Sequence, residues 1–482
     1  MINHECKKRT FNNYNQVLVM FESNVYKKRR EALCRKLSGG LILLLGNNEA
    51  SANYPDNTYH FRQDSSFLYF FGLNHPGFAG VIDVDAGEDI LFGNDFTMDD
   101  IIWMGPQPSV TEQAHKVGVE KSMPLSQLSV VIENAVRRGQ RIHFLPPYRS
   151  VNKLWLEELL GISPMKQKTY ASVELIKAVV ALRSVKSDLE IAEIEHACDI
   201  GYEMHTTAMR MCRPGVMEQY ICGTIEGIAM AYGAGVSFPT ILSMHGETLH
   251  NHYHGNVLEE GKLMLTDAGA ETNMNYCSDF TRTVPVGGRF SQRQKEIYNI
   301  VVDAHDCAIQ HARPGNTWKE VHLEACRVIA KGLKELGLMR GDVDEAVSVG
   351  AHALFMPHGL GHMMGLDVHE MEDLGQIYVG YDEEVRPSNQ FGLASLRMGR
   401  RLEKGFVITD EPGIYFIPAL IDQWKSEKMH EEFLCYETIE KYKDFGGIRL
   451  EDDVLVTETG SRFLGQKRIP IYVDEIEEFM KI

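Results

Sequence analysis

The sequence predicts two parts with different grammar: an amino-terminal α/β domain, then a larger α+β domain built from a duplicated helix-helix-sheet unit around a pseudo-two-fold axis. Three observations carry that prediction. The first third alternates short apolar strands with helix-like stretches. Two later segments repeat the same helix, stop and strand signals in the same order. Acidic residues recur at the ends of the repeated strands. At 482 residues the chain exceeds one ordinary core, and its length suggests two or three domains.

In the first domain a helix-like stretch over Tyr26–Leu37 precedes apolar runs at Leu41–Leu45, Phe67–Leu73, Gly80–Val84 and Asp89–Gly93, all read as strands. Turn-rich segments such as Asn53-Tyr-Pro-Asp-Asn57 separate them. Arg141–Leu145 reads as a further strand, Val151–Leu160 as a helix and Pro164–Lys168 as a polar turn. A boundary is expected near residues 170–186, giving domains over 1–175 and 176–465 with a tail over 466–482.

The second domain opens on a capping box, Ser187 with Glu190, in which hydroxyl and carboxylate satisfy each other's backbone amides at a helix start. That helix should run to Cys212 and stop at Arg213-Pro214-Gly215. Ser291 with Gln294 repeats the box, and Arg313-Pro314-Gly315 repeats the stop. Further helices follow over Met217–Tyr232 and over Thr317–Leu336, the latter opened by a third box, Thr317 with Glu320. The strands repeat as well. Glu260-Gly261 leads through an apolar run to Asp267-Ala-Gly269, and Lys404-Gly405 leads through another to Asp410-Glu411-Pro-Gly413.

Composition narrows the function classes. Hydrophobic residues make up 44% and charged residues 24%, as in soluble globular proteins, and no apolar run is long enough to span a bilayer. Met1–Lys8 is polar and is followed by no apolar signal core, so a cytoplasmic protein is expected. Nine cysteines scattered from Cys6 to Cys435 without a C-x-x-C pair fit reduced thiols. A net charge of −18 disfavours binding to a phosphate backbone, so no nucleic-acid or membrane partner is expected.

Asp267, Asp279, His362, Glu411 and Glu451 each fall in or beside an apolar strand. A single Asp at a strand end is more often a turn or cap residue, but a set of carboxylates buried without partners would be costly. Cations remove that cost. Four carboxylates with one imidazole suit Mn²⁺, Co²⁺ or Zn²⁺ in a carboxylate-bridged pair better than a thiolate-held structural zinc. Two such ions can share a hydroxide and hold a carbonyl, which suits peptide hydrolysis.

These segments also carry a resemblance. Asp267-Ala-Gly-Ala-Glu271 with Ser278-Asp279-Phe-Thr-Arg-Thr283, His358-Gly-Leu-Gly-His362 with Gly365-Leu-Asp-Val-His369, Thr409-Asp-Glu411-Pro-Gly413, and Ile448-Arg-Leu-Glu451-Asp-Asp453 resemble the pita-bread-fold metallopeptidases. That group includes aminopeptidase P, prolidase and methionine aminopeptidase. In the first domain, Phe61-Arg-Gln-Asp-Ser-Ser-Phe67-Leu-Tyr-Phe-Phe-Gly-Leu73 and Trp103-Met-Gly105 resemble the amino-terminal domain of aminopeptidase P and prolidase. Methionine aminopeptidases usually lack such a domain.

The resemblance implies two divalent ions, Mn²⁺ first. Asp279 and Glu451 would bridge them, Asp267 would sit on one, and His362 with Glu411 on the other. Glu411 would also be the general base. His358 and His369 would hold the substrate carbonyl, and His250 would line the substrate pocket. Arg449 is expected to orient Glu451 or its neighbour. The implied activity is that of an Xaa-Pro aminopeptidase using a hydroxide held by the two metals, with a peptide carrying proline in second position as substrate. Xaa-Pro dipeptidase is the close alternative, and a homodimer or homotetramer is expected. The resemblance extends to metal-free binding modules and creatinase-like enzymes, which the filled ligand set disfavours.

Two departures are visible. Asp267 and Asp279 are one residue further apart than expected, so a bulge or longer turn over Thr272–Asn275 must absorb the extra residue. His252 and His254 flank His250 and are expected at the surface or on substrate. His205, His305 and His322, outside any motif, are expected on helix faces and assigned no role.

Overall fold

The computed structural model describes residues Met20–Lys481. The polar Met1–Lys8 segment and Cys6 lie outside the described residues. The chain forms two compact units, one comprising residues to Arg183 with Asp373–Gly375, the other Ser184–Glu372 and Gln376 onward. The division falls late in the 170–186 window, because a helix over Val173–Ser184 continues the first unit.

The first unit is built on a five-stranded mixed sheet. Its strands are β1 (Leu41–Leu45), β2 (Ala79–Asp83), β3 (Glu88–Phe92), β4 (Lys121–Met123) and β5 (Ile142–Phe144), in the order β4-β3-β2-β1-β5. The β1–β2 and β2–β3 pairs are antiparallel, whereas β1–β5 and β3–β4 are parallel. Helix α1 (Ser23–Cys34) supplies Arg30, whose buried guanidinium binds the carbonyls of Phe70, Val117 and Gly118 and the Asp89 carboxylate.

Two expectations fail in this unit. Phe67–Leu73 is not a strand: Ser65–Phe71 is a helix, α2, and all seven of its residues are buried. Asp64 caps it by accepting from the Phe67 amide, and Gly72 closes it at φ 68°. A helix buried on every side shows the same unbroken apolar run as a buried strand, so periodicity cannot separate them. Pro164–Lys168 is likewise helical, within Pro164–Tyr170, where proline at the first turn costs no hydrogen bond.

The second unit contains the duplication. Helices α3 (Asp188–Met211) and α4 (Glu218–Tyr232) precede strands β6 (Ile241–Ser243), β7 (Leu263–Ala268) and β8 (Phe280–Pro285), ordered β8-β7-β6. Helices α5 (Gln292–His311) and α6 (Trp318–Glu335) precede β9 (Val407–Asp410), β10 (Gly413–Tyr415), β11 (Gly447–Arg449), β12 (Asp452–Val456) and β13 (Ser461–Phe463). Here the main sheet runs β9-β12-β13, with β10 paired to β11. All three capping boxes form as expected.

The two helix stops share one backbone pattern. The Gly215 amide donates to the Leu258 carbonyl and the Leu258 amide to the Val216 carbonyl. In the second half, Gly315 and Leu402 and then Leu402 and Asn316 repeat these bonds. The bridges Met217–Val257 and Thr317–Arg401 follow in the same register. A bridge between Thr281 and Glu451 joins the two halves.

Residues 466–482 were expected to be a tail. As far as Lys481 they are part of this unit: Ile469, Ile471 and Ile476 are buried, and the Tyr298 hydroxyl donates to the Ile471 carbonyl at 2.7 Å. The segment ends in helix α7 (Val473–Phe479). Among the described residues no helix is long and apolar enough to cross a membrane, and the eight described cysteines are free.

Candidate active site

The five predicted ligand residues come together within the second unit because consecutive strand segments lie side by side. Asp267 is on β7, opposite Thr281 of β8. Asp279 immediately precedes β8. The Thr281–Glu451 bridge brings in Glu451, which immediately precedes β12. Strand β12 pairs with β9, and Glu411 directly follows β9. On the far side of β9 runs the His358–Met363 segment: the Thr409 amide donates to the His362 carbonyl and the Glu411 amide to the Leu360 carbonyl. Glycine at 361 permits this approach, since a Cβ there would lie 2.0 Å from the Thr409 carbonyl oxygen.

The side chains converge as well. His362 Nε2 lies 3.4 Å from Asp279 Oδ2 and 3.7 Å from Glu411 Oε1. Ligand-capable atoms of Asp279, His362 and Glu451 all lie within 4.8 Å of one another. A tight turn does lie at Thr272–Asn275, where the Asn275 amide returns to the Thr272 carbonyl and Asn275 adopts φ 63°. The β7–β8 register runs unbroken from Leu263–Pro285 to Ala268–Phe280.

Concentrating acids here has an electrostatic consequence. Burial, then Glu451 and Asp267, pushes the Asp279 carboxyl well above its ordinary range; burial, then Glu411, does the same to Glu451. Burial raises Glu411 to about 7, against the pull of Arg449. Burial also holds His362 far below the usual imidazole range, which leaves it a neutral ligand with Nδ1 directed at the Met363 carbonyl. Asp267 Oδ1 and Asp279 Oδ1 are buried without hydrogen-bond partners. Crowded, unpartnered carboxyl oxygens around a neutral imidazole fit divalent cations with oxygen and nitrogen ligands.

Arg449 acts across the halves. Its Nη2 pairs with Asp267 Oδ2 at 2.5 Å. Its Nε donates to Thr281 Oγ1, which in turn donates to Glu451 Oε2 at 2.7 Å. The expected influence on Glu451 therefore passes through Thr281, while the direct partner is Asp267. Its Nη1 donates to the Tyr415 hydroxyl, which lies 2.9 Å from His358 Nε2.

A cleft of about 570 Å³ opens over these residues. His358 and His369 line it. His358 Nδ1 faces the Gly359 carbonyl, and burial drives that imidazole down to about 3. His369 is held through Nδ1 by Glu372 at 2.6 Å and packs edge-on against His362. His250 and His252 both line the cleft, whereas His254 Nδ1 turns to the Leu242 carbonyl. Phe238, Pro239, Ile241 and Leu249 add an apolar wall to the cleft, with Ile241 beside Asp267 on the neighbouring strand.

Sequence reasoning missed Tyr415, Arg397, Glu372 and that wall. Tyr415 had a signal: Glu411, Gly413 and Tyr415 share a strand parity and therefore one face. Arg397, which lines the cleft and lies 3.4 Å from Glu372, stands in no motif. The three histidines expected on helix faces are all buried: His205 Nε2 meets the Ala268 carbonyl, His305 lies 3.3 Å from Asp452, and His322 touches Cys326.

Comparison with known proteins agrees with this architecture. Residues 192–458 match the model of metallopeptidase family M24, and residues 26–145 match the aminopeptidase P N-terminal domain. The chain is 32% identical to a human Xaa-Pro dipeptidase over 478 residues, covering 95% of this chain and 93% of that one. It is also 32% identical to an Escherichia coli Xaa-Pro aminopeptidase over 450 residues, covering 91% and 93%. A solved structure of E. coli aminopeptidase P with the inhibitor Pro-Leu has a TM-score of 0.77 at 28% identity, covering 96% of this chain and 98% of that one.

Proposed function

As a member of metallopeptidase family M24 with an aminopeptidase P-type amino-terminal domain and a pita-bread catalytic domain, this chain, an Xaa-Pro peptidase, is, we propose, an Xaa-Pro aminopeptidase. It would release the first residue from peptides with proline in second position. The observation that carries this reading is the cleft of about 570 Å³, which joins the acids and histidines to an apolar wall and whose volume would admit more of a peptide than a proline ring.

The enzyme is metal-dependent as a family member. Asp267, Asp279, His362, Glu411 and Glu451 would hold two divalent ions, with Mn²⁺ the proposed pair. When bound, such ions polarise a carbonyl and activate water at neutral pH. The protein's own groups do the rest. Glu411, which burial raises to about 7 in the cation-free protein, would accept and return a proton at a carboxylate oxygen. His369, fixed by Glu372, aims its free ring edge at the cleft, where it can hold the substrate carbonyl. Tyr415 ties His358 to Arg449, so the histidine and Asp267 are positioned by one guanidinium. The apolar wall receives the proline ring, whose tertiary nitrogen asks for no acceptor.

A second reading has its own support. Arg397 places a guanidinium in the cleft, which could pair with the terminal carboxylate of an Xaa-Pro dipeptide and make the enzyme a prolidase. The test strips the protein with chelator, restores Mn²⁺ and follows an Xaa-Pro dipeptide beside an Xaa-Pro-Xaa tripeptide. Release of the first residue from the tripeptide supports the aminopeptidase. Cleavage of the dipeptide alone, with KM raised in Arg397→Ala, replaces it with the prolidase. Silence on both points to a non-catalytic peptide-binding module. A cytoplasmic homodimer or homotetramer completes the proposal, checked by cell fractionation and light scattering.

A further inference from the structure

Helix α6 carries His322 and Cys326 four residues apart, so both project from one face. The turn at Ala351–Leu354 brings His352 against them. Ligand-capable atoms of the three lie within 4.8 Å of one another, and all three side chains are buried. None of them lines the active-site cleft.

The donor geometry is close to that of a metal site. His322 Nε2 and Cys326 Sγ are 3.5 Å apart. A tetrahedral ion with sulfur and imidazole ligands at ordinary bond lengths separates those atoms by about 3.6 Å. In the metal-free protein the Cys326 thiol and His322 Nε2 make a hydrogen bond at 3.5 Å, but hydrogen bonding does not account for the rest of the cluster. Both ring nitrogens of His352 and Nδ1 of His322 are buried without a partner, although a neutral imidazole always carries one N–H and one lone pair that need one.

We propose that His322, Cys326 and His352 form a second metal site for a single thiophilic cation, with Zn²⁺ as its chemical type. One thiolate and two imidazoles select such an ion over Mn²⁺, whereas the carboxylate-rich active site has the opposite bias. Burial keeps both imidazoles in the neutral form that ligates, His322 at about 3 and His352 at about 4. It also keeps Cys326 protonated in the metal-free protein. Loading therefore forms one metal–sulfur bond, breaks one S–H bond and releases one proton to solvent. His358 follows His352 by six positions, so the ion would clip helix α6 to the turn that leads into the active-site segment. It takes no part in hydrolysis.

The test uses the full-length protein, stripped with chelator, loaded with Mn²⁺ and then given one equivalent of Co²⁺. A thiolate-to-Co²⁺ charge-transfer band in the near ultraviolet is expected, because the active-site ligands contain no sulfur. One equivalent of Zn²⁺ should abolish the band and raise the melting temperature. Cys326→Ser should lose the band and His352→Gln should weaken it, with Xaa-Pro peptide cleavage by the Mn²⁺ form retained. If Cys326→Ser does not fold, the wild-type band and its loss to Zn²⁺ still decide the matter. Co²⁺ uptake without the band overturns the proposal, as does a band that survives Cys326→Ser.

Discussion

The two halves of the second unit share a scaffold and differ in what they hang on it. Asp267 and Glu411 occupy matching positions, each following a glycine by six residues, at Gly261 and Gly405. Asp267 faces Thr281 across β7–β8, and extending the β9–β12 register from Asp410–Asp452 sets Glu411 against Glu451. Glu451 thus stands where the first half has Thr281, and Arg449 where it has Asp279. The long connection between α6 and β9 brings His358, His362, His369 and Arg397 to the cleft, whereas the corresponding connection between α4 and β7 brings His250 and His252. Duplication built a symmetric frame, and a few asymmetric side chains gave it a direction.

The strongest way to break this comparison is to remove one acid from each half. Asp279→Asn and Glu451→Gln should each lower kcat/KM by about 10³-fold. Similar losses would mean that both halves serve one centre. Undiminished turnover in either, assayed with an Xaa-Pro-Xaa tripeptide after Mn²⁺ loading, would remove that residue from the site. Tyr415→Phe cuts the tie between His358 and Arg449 and should cost about 10- to 100-fold in kcat/KM while leaving the metal content unchanged.

The matched histidines sharpen the comparison. His205 and His305 each lie ten residues before their Arg-Pro-Gly glycine. Burial holds His205 down to about 4, only partly offset by the Ala268 carbonyl. Burial would also depress His305, but Asp410, with Asp306 and Asp452, overrides it and lifts the imidazole to about 9. The signs are opposite. The unfolded chain takes up a proton near 6.5 that folded His205 refuses, so stability should fall from pH 6.5 toward 4, by about 2 kcal/mol at pH 5. The His305 contribution is complete below 6.5 and should be lost as pH rises through 9. Urea titrations of His205→Gln and His305→Gln against the parent chain should show these slopes flattened at opposite ends of the pH range.

The smallest effect is expected at the two stops. Gly215 and Gly315 adopt φ of 85° and 97°, and an added Cβ meets nothing within 4 Å at either. Replacing either by alanine should cost about 1 to 2 kcal/mol from backbone strain alone. Equal costs in denaturant titrations would mark the turns as true counterparts.

Much of this was legible locally. Capping boxes, Arg-Pro-Gly stops and the repeated glycine-to-acid strands are short-range codes, since each satisfies backbone groups a few residues away. Helix α2 was not, because Phe67–Phe71 is buried on all sides and its periodicity carries no face. Arg397 and the Phe238–Leu249 wall were not, because residues in irregular segments owe their place to distant neighbours.

By itself the sequence determined the duplication and the four acids and one histidine that meet, since both are set by local hydrogen bonding and strand parity. Only the tertiary structure decided that Arg449 grips Asp267, that Tyr415 joins it to His358, and that His352 comes to rest beside His322 and Cys326. Those pairs are far apart in the chain, and their contact depends on how packed elements bring side chains through space.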